Sequence, residues 1–310
     1  MNIDNVFDSN IFICDENDQG QGMTSVCIIN GIEVDSDFTV GPLTLRPLDK
    51  AVDHFPRDIR KDLQHAVLEF RYIDRKNSIS RYAEPSIIQS AAIKTFKLMV
   101  DSWAGATLIY HFDDTGAQNG GTSGSRRWET ADTEYVREGA KLEVSEENKE
   151  LFKNIFYSSF GKLEHAIDRY DRACAEIKDE SILDFIISLE ATLGYGLNTE
   201  ISHRFSLRGA ILLSENESER SSYYDLFKTL YKLRSVIAHG EPLLEKELTK
   251  GVYVSAIQNL GFSYEEHESF KIRIAADIAR QVTRRVLLKF ILNEELLDKN
   301  KLLNLELGIN

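Results

Sequence analysis

Residues 224–240 read YDLFKTLYKLRSVIAHG, and the spacing of their apolar positions decides the fold of the chain's second half. Leu226, Phe227, Leu230, Leu233, Val236 and Ile237 recur at steps of three and four, the stripe of a helix that buries one face in a core. Gly240 and Pro242 are stop signals just beyond it, which places Arg234 and His239 in its final two turns. Five residues at 100° each set those two side chains about 140° apart on an unbroken helix. They converge on one ligand only if the last turn loosens or a second chain contributes. The chemistry of the pair is coherent: an imidazole carries a proton near neutral pH, and a guanidinium holds charge developing on a phosphorane. Together they suit cleavage of RNA by its own 2′-hydroxyl. Spacing alone favours a plainer role, in which a cation and a histidine answer the helix dipole and cap free carbonyls.

Helical periodicity extends on both sides of this stretch. The spacing in residues 150–177, ELFKNIFYSSFGKLEHAIDRYDRACAEI, predicts one long amphipathic helix with Leu151, Ile155, Phe156, Phe160, Leu163, Ile167 and Tyr170 inward. A second, strongly apolar helix covers 181–193 and ends at Gly194 and Gly196. A third starts at Thr199 and carries Glu200, Arg204 and Arg208 on one side at four-residue steps. A last long helix begins near Tyr264, and the end, LLDKNKLLNLELGIN, forms a short helix that packs back or assists pairing of chains. Glu190 stands inside the apolar run FIISLEATLG and Arg208 inside FSLRGAILL, where an unpaired charge is costly. Each requires a partner, and a buried Glu190–Arg208 pair is the structural expectation.

The run from Ile182 to Gly240 contains SLEATLG, TEISHRFSLRGAILL, an acidic spacer and LYKLRSVIAHG in that order. This block series resembles the Apea-like branch of the HEPN superfamily, whose R-x-x-x-x-H motif is matched here by Arg234-Ser-Val-Ile-Ala-His239. The resemblance covers roughly the C-terminal half, and the ordered blocks carry it rather than the six-residue motif. It implies a compact helical bundle, a homodimer with two motif copies facing each other, and a ribonuclease that needs neither metal nor cofactor. Many such proteins are toxins or antiviral defence effectors, for which an antitoxin or a phage-derived trigger is a further partner. By the same resemblance His239 transfers protons, Arg234 stabilises the scissile phosphate and Ser235 assists, while Glu190 and Arg208 match charged positions of the family pattern and support the site. Glu200 is a further supporting candidate, placed to orient Arg234 or His239. Some HEPN domains have no demonstrated chemistry, so a silent binding or dimerisation module is the rival expectation.

The amino-terminal half reads differently. Residues 1–24, rich in Asn, Asp, Gln and Gly, predict a poorly ordered or loosely docked start. VCIING and DFTVGPLTLRPL then read as short strands and a hairpin, punctuated by glycine and proline. Residues 56–65 have helical spacing, AVLEFRYIDR alternates as a strand, SIIQSAAIKTFKLMVDSW reads as a helix opened by Pro85 and Ser86, and ATLIYHF returns to strand. Residues 113–125, DDTGAQNGGTSGS, form a connecting loop; without a following Lys-Ser or Lys-Thr its glycines make no phosphate loop. Arg126, Arg127 and Trp128 beyond it read as a surface anchor before they read as a nucleic-acid contact. The expected class is therefore α+β: a mixed α/β domain over 25–145, suited to sensing or regulation, followed by an all-α helical domain over 146–310.

Composition sets outer limits. The 310 residues are 42% hydrophobic, enough for a packed core, and contain no apolar run of membrane-spanning length. The start lacks a signal-peptide pattern, so the expected compartment is the cytoplasm. Cys14, Cys27 and Cys174 lack metal or redox spacing and are expected as reduced thiols. A net charge of −13 excludes a general nucleic-acid coat protein, so RNA would need a local basic patch. Arg204, Lys232, Arg280 and Arg284 are the positions assigned to it, the last two within a basic run that includes Lys271, Arg273, Arg285 and Lys289. A solvated face paired with neighbouring acids is the weightier reading of that run. His203 and His267 complete the histidines of interest, and the acids around His267 have no metal-ligand spacing.

Overall fold

The computed structural model describes residues 6–8, 12–13, 21–47, 65–74, 83–101, 105–113, 140–174, 179–239, 244–263 and 268–308. The chain divides into two compact units, Met1–Ser159 and Phe160–Asn310. An antiparallel sheet dominates the first and helices the second, so the class is α+β. Among the described residues no helix is long and apolar enough to cross a membrane.

In the first unit the strands are β1 (Phe12–Ile13), β2 (Gln21–Asn30), β3 (Ile32–Glu33), β4 (Phe38–Val40), β5 (Leu43–Pro47), β6 (His65–Asp74), β7 (Gly105–Asp113) and β8 (Ala140–Lys141). The main sheet runs β4-β5-β6-β2-β7, all antiparallel, while β1 pairs parallel with Tyr72 and Ile73 of β6. A separate parallel pair joins β3 to β8. Ser25 through Ile29 of β2 are buried without alternation, so both faces of this central strand are covered. Helix α1 (Ala83–Met99) packs against the sheet; the Ser25 hydroxyl donates to Gln89 Oε1 at 3.0 Å. Gly41, at φ +54° between β4 and β5, is required twice over, since a Cβ there would also meet the Phe7 Cα at 2.8 Å. Helix α2 (Glu146–Ser158) closes the unit through an aromatic cluster in which Phe152 meets Phe96 at 4.8 Å and Phe156 meets Phe7 at 4.9 Å.

That cluster corrects two expectations. Val6, Phe12 and Met23 are buried, so the described part of residues 1–24 is docked rather than loose. The helix foreseen over 150–177 is two: α2 ends at Ser159, whose N–H reaches the Ile155 and Phe156 carbonyls, and α3 (Glu164–Ala173) begins after Gly161. The apolar period runs through the break because Phe156 and Ile167 both face cores, but of different units. The division accordingly falls after Ser159, not at 145/146. Residues 56–64 and 114–128, with the predicted helix, loop and Arg126-Arg127-Trp128, lie outside the described residues, as do Cys14, Trp103, Gly240, Pro242 and His267. Cys27 and Cys174 are buried and not joined in a disulfide, and burial pushes the Cys27 thiol up to about 12.

The second unit contains α3, α4 (Asp179–Leu193), α5 (Ile201–Leu213), α6 (Glu217–Ala238), α7 (Leu244–Leu248), α8 (Gly251–Asn259), α9 (Glu268–Leu292), a 3-10 turn (Glu294–Leu297) and α10 (Lys299–Leu307). Helix α4 is central, packed against α3, α5, α6 and α9. Phe185, Ile186 and Leu189 of α4, Leu226, Phe227, Leu230 and Leu233 of α6, and Val282, Val286 and Phe290 of α9 are buried. Gly209 lets α5 approach α6, because a Cβ would lie 2.6 Å from the Phe227 ring. Helix α6 starts where the Asn216 side chain accepts from the Glu219 N–H at 2.9 Å, and α10 where Asp298 accepts from the Asn300 and Lys301 N–H groups. A buried apolar stripe on α6 fixes which of its residues face outward, and this positions the candidate site.

Candidate functional site at the end of helix α6

The last turn of α6 is not loosened. His239 caps it at φ −93° and ψ 0°, and its N–H donates to the Ser235 carbonyl at 3.1 Å, an ordinary helical bond. Arg234 and His239 therefore remain on different sides of one helix. Tyr224, Lys228, Lys232, Ser235 and His239 follow at steps of three and four and share the outward face; all but the half-buried Tyr224 are exposed. Among the described residues nothing hydrogen-bonds to the His239 imidazole or the Ser235 hydroxyl.

Arg234, one position before Ser235, turns toward α4. Its Nε donates to Glu190 Oε2 at 2.8 Å, and the arginine is still 44% exposed. Both Nη groups are left without a protein acceptor among the described residues. Burial raises the Glu190 carboxyl above its ordinary value, and the Arg234 charge and hydrogen bond offset part of that rise. The contact tethers the guanidinium by its inner edge and leaves the outer edge open to an anion.

The expected Glu190–Arg208 pair is not formed. Arg208 is buried, and its Nη1 donates to the Leu193 carbonyl at 2.7 Å and the Tyr195 carbonyl at 2.8 Å, satisfying acceptors at the end of α4. Its Nε donates to Glu306 Oε1 of α10 at 2.5 Å. Arg204 donates to the same carboxylate through Nε at 2.9 Å and Nη2 at 3.1 Å. Burial alone would raise the Glu306 carboxyl, but the hydrogen bonds and charges of Arg204 and Arg208 outweigh it and hold the group below the ordinary carboxylate value. Glu190 and Arg208 each needed an opposite charge, and each found one on a different helix.

Glu200 sits at the start of α5 with φ 49°, the one non-glycine residue of positive φ among those described. Its charge acts on Arg204, and no hydrogen bond joins it to Arg234 or His239 among the described residues. The positions assigned to RNA backbone are mostly occupied. Besides Arg204, Lys232 lies 2.8 Å from Glu247, and Arg280 is buried against Asp277 at 2.9 Å. Arg284 is half-buried on α9, and Arg285 donates to the Tyr223 hydroxyl. Arg280 and Arg285 of the basic run of α9 are thus engaged within the fold, while Lys289 is exposed. His203 Nδ1 lies 2.9 Å from the Tyr224 hydroxyl, and the Lys228 Nζ stands 5.8 Å from that ring's centroid. Among the described residues no three His, Cys, Asp or Glu side chains converge as metal ligands.

Sequence reasoning missed Tyr224, Lys228 and Glu306. The first two were legible as i, i+4 neighbours on the face of Ser235 and His239. Glu306 had the signal used for Glu190, a lone acid within a leucine-rich helix, here LLNLEL. Compared with family models, curated proteins and solved structures, the chain matches none.

Proposed function

We propose that the chain is an Apea-like HEPN endoribonuclease, metal-independent and active in the cytoplasm as a homodimer, serving as a toxin or antiviral defence effector. The observation that carries this reading is the tether of Arg234 by Glu190, which leaves both Nη groups unengaged, with an exposed His239 on another side of the same helix end. One copy keeps the two groups apart around α6, so the competent site takes the guanidinium of one copy and the imidazole of the other.

In such a site the 2′-oxygen attacks the neighbouring phosphorus. The 2′-O–P bond forms and the P–O5′ bond breaks, leaving a 2′,3′-cyclic phosphate and a 5′-hydroxyl. The imidazole of His239 takes the 2′-hydroxyl proton and, once charged, returns a proton to the departing 5′-oxygen. The Nη groups of Arg234 bind the phosphorane oxygens, where charge is greatest at the transition state. Glu190 is a positioning residue, and Ser235 on the same outward face assists in holding the strand. The first unit is the candidate to sense an antitoxin or a phage-derived trigger.

The test is incubation of the purified protein with total RNA in excess chelator. Fragments ending in 2′,3′-cyclic phosphate are expected from the wild type and not from folded His239→Ala. RNA left intact by the wild type, with and without phage lysate, supports the binding-module reading instead.

A further inference from the structure

We propose that Arg204 and Arg208 form a phosphate-binding site that the chain's own Glu306 occupies, so that a phosphate group competes with helix α10 for it. Three charge-assisted hydrogen bonds converge on one carboxylate, a fork from Arg204 across both oxygens and a single bond from Arg208. A planar fork of this kind binds phosphate oxygens as readily as carboxylate oxygens.

The two partners differ in how firmly they are held. Arg208 is only 1% exposed and fixed by two carbonyls of the α4 end, so it cannot follow α10 outward. Apart from Glu306, helix α10 is held lightly: Leu302 is its one buried residue, while Leu303 and Leu307 are 41% and 62% exposed. Lifting α10 would leave a guanidinium held at the α4 end without its counter-charge, a state that costs free energy. The lifted state therefore demands a replacement anion, and phosphate supplies it. Release of α10 and anion binding are in this way one coupled event. Inorganic phosphate and the phosphate of an oligoribonucleotide share the chemistry, and the arms of the experiment separate them. The inference stands apart from any ribonuclease activity, because its readouts are binding and exchange.

Hydrogen exchange of the full-length protein in sodium phosphate, against sodium chloride at equal ionic strength, measures the competition. Exchange of the α10 amides is expected to quicken several-fold in phosphate, with the α4 and α9 amides unchanged. Glu306→Gln, which weakens the plug, should gain melting temperature from phosphate, and adding Arg204→Ala should remove the gain. A 5′-phosphorylated oligoribonucleotide that speeds α10 exchange where its 5′-hydroxyl counterpart does not assigns the site to terminal phosphate; equal effects assign it to the backbone. Unchanged α10 exchange in the wild type overturns the proposal whatever the variants do, and so does a phosphate gain that survives Arg204→Ala.

Discussion

Glu190 on α4 and Arg234 on α6 are joined by a 2.8 Å hydrogen bond from Nε to Oε2, which ties the guanidinium through Nε and leaves both Nη groups without an acceptor among the described residues. A positioning contact of this kind affects the reaction without touching it. In the proposed ribonuclease, Glu190→Gln should lower kcat by roughly 10- to 100-fold through misplacement of Arg234. Glu190→Asp should restore part of the loss, which a purely structural role for the carboxylate would not require. Single-turnover cleavage of a defined RNA measures both.

The same pair makes a thermodynamic prediction. Because Arg234 is largely exposed, its coupling to Glu190 in a double-mutant cycle should be small, about 0.2–1 kcal/mol. The Arg208–Glu306 pair is buried, and removing either partner should cost about 3–5 kcal/mol. A Glu190–Arg208 cycle should be additive, since the two side chains have different partners. Denaturant unfolding of the single and double variants checks all three.

The two carboxylates should separate along the pH axis. The folded-state value of Glu190 is raised by burial, so between its ordinary and raised values the folded state holds more protons, and stability falls as pH rises through that window. Arg234→Ala removes the offsetting charge, so its stability deficit should be small below the ordinary carboxylate value and grow as pH rises above it. Glu306 is held below its ordinary value, so its contribution is full above that value and is lost as pH falls through the depressed one. The deficit of Glu306→Gln should accordingly shrink only on the acid side. Melting temperatures of the variants against pH distinguish the two windows.

His239 caps α6 on the outward face and is exposed, so His239→Ala should fold with little change in melting temperature. The proposed proton-transfer role predicts a loss of about 10²–10⁴-fold in cleavage. Arg234→Ala should lose about 10²–10³-fold as a charge-stabilising donor. Parallel melting and cleavage measurements on the two proteins establish whether activity falls without loss of fold.

The helical half was legible because periodicity is a local signal: the stripe from Leu226 to Val236 gave α6, and Gly194 and Gly196 marked the end of α4. Strands β6 and β7 and the β4–β5 hairpin followed from alternation and turn residues in the same way. What failed was non-local. The periodic run from Leu151 to Tyr170 continues across a boundary between cores, and nothing in the run says that Phe156 and Ile167 belong to different units. The need of Glu190 and Arg208 for partners was readable from their apolar surroundings, but which partner depended on where α6 and α10 come to rest. Glu306, distant in sequence, took the role assigned to Glu190. The angular separation of Arg234 and His239 was computable in advance, and the intact last turn of α6 leaves it in place.

The most direct measurement uses that separation. Arg234→Ala and His239→Ala copies, carrying different tags, are co-expressed, and the mixed dimers are purified and given total RNA in chelator. A site built from one copy's arginine and the other's histidine predicts that each variant alone is inactive, while a mixed dimer regains one intact site of two, about half the wild-type activity. Mixed dimers as silent as the parents, beside an active wild type, would contradict the shared site.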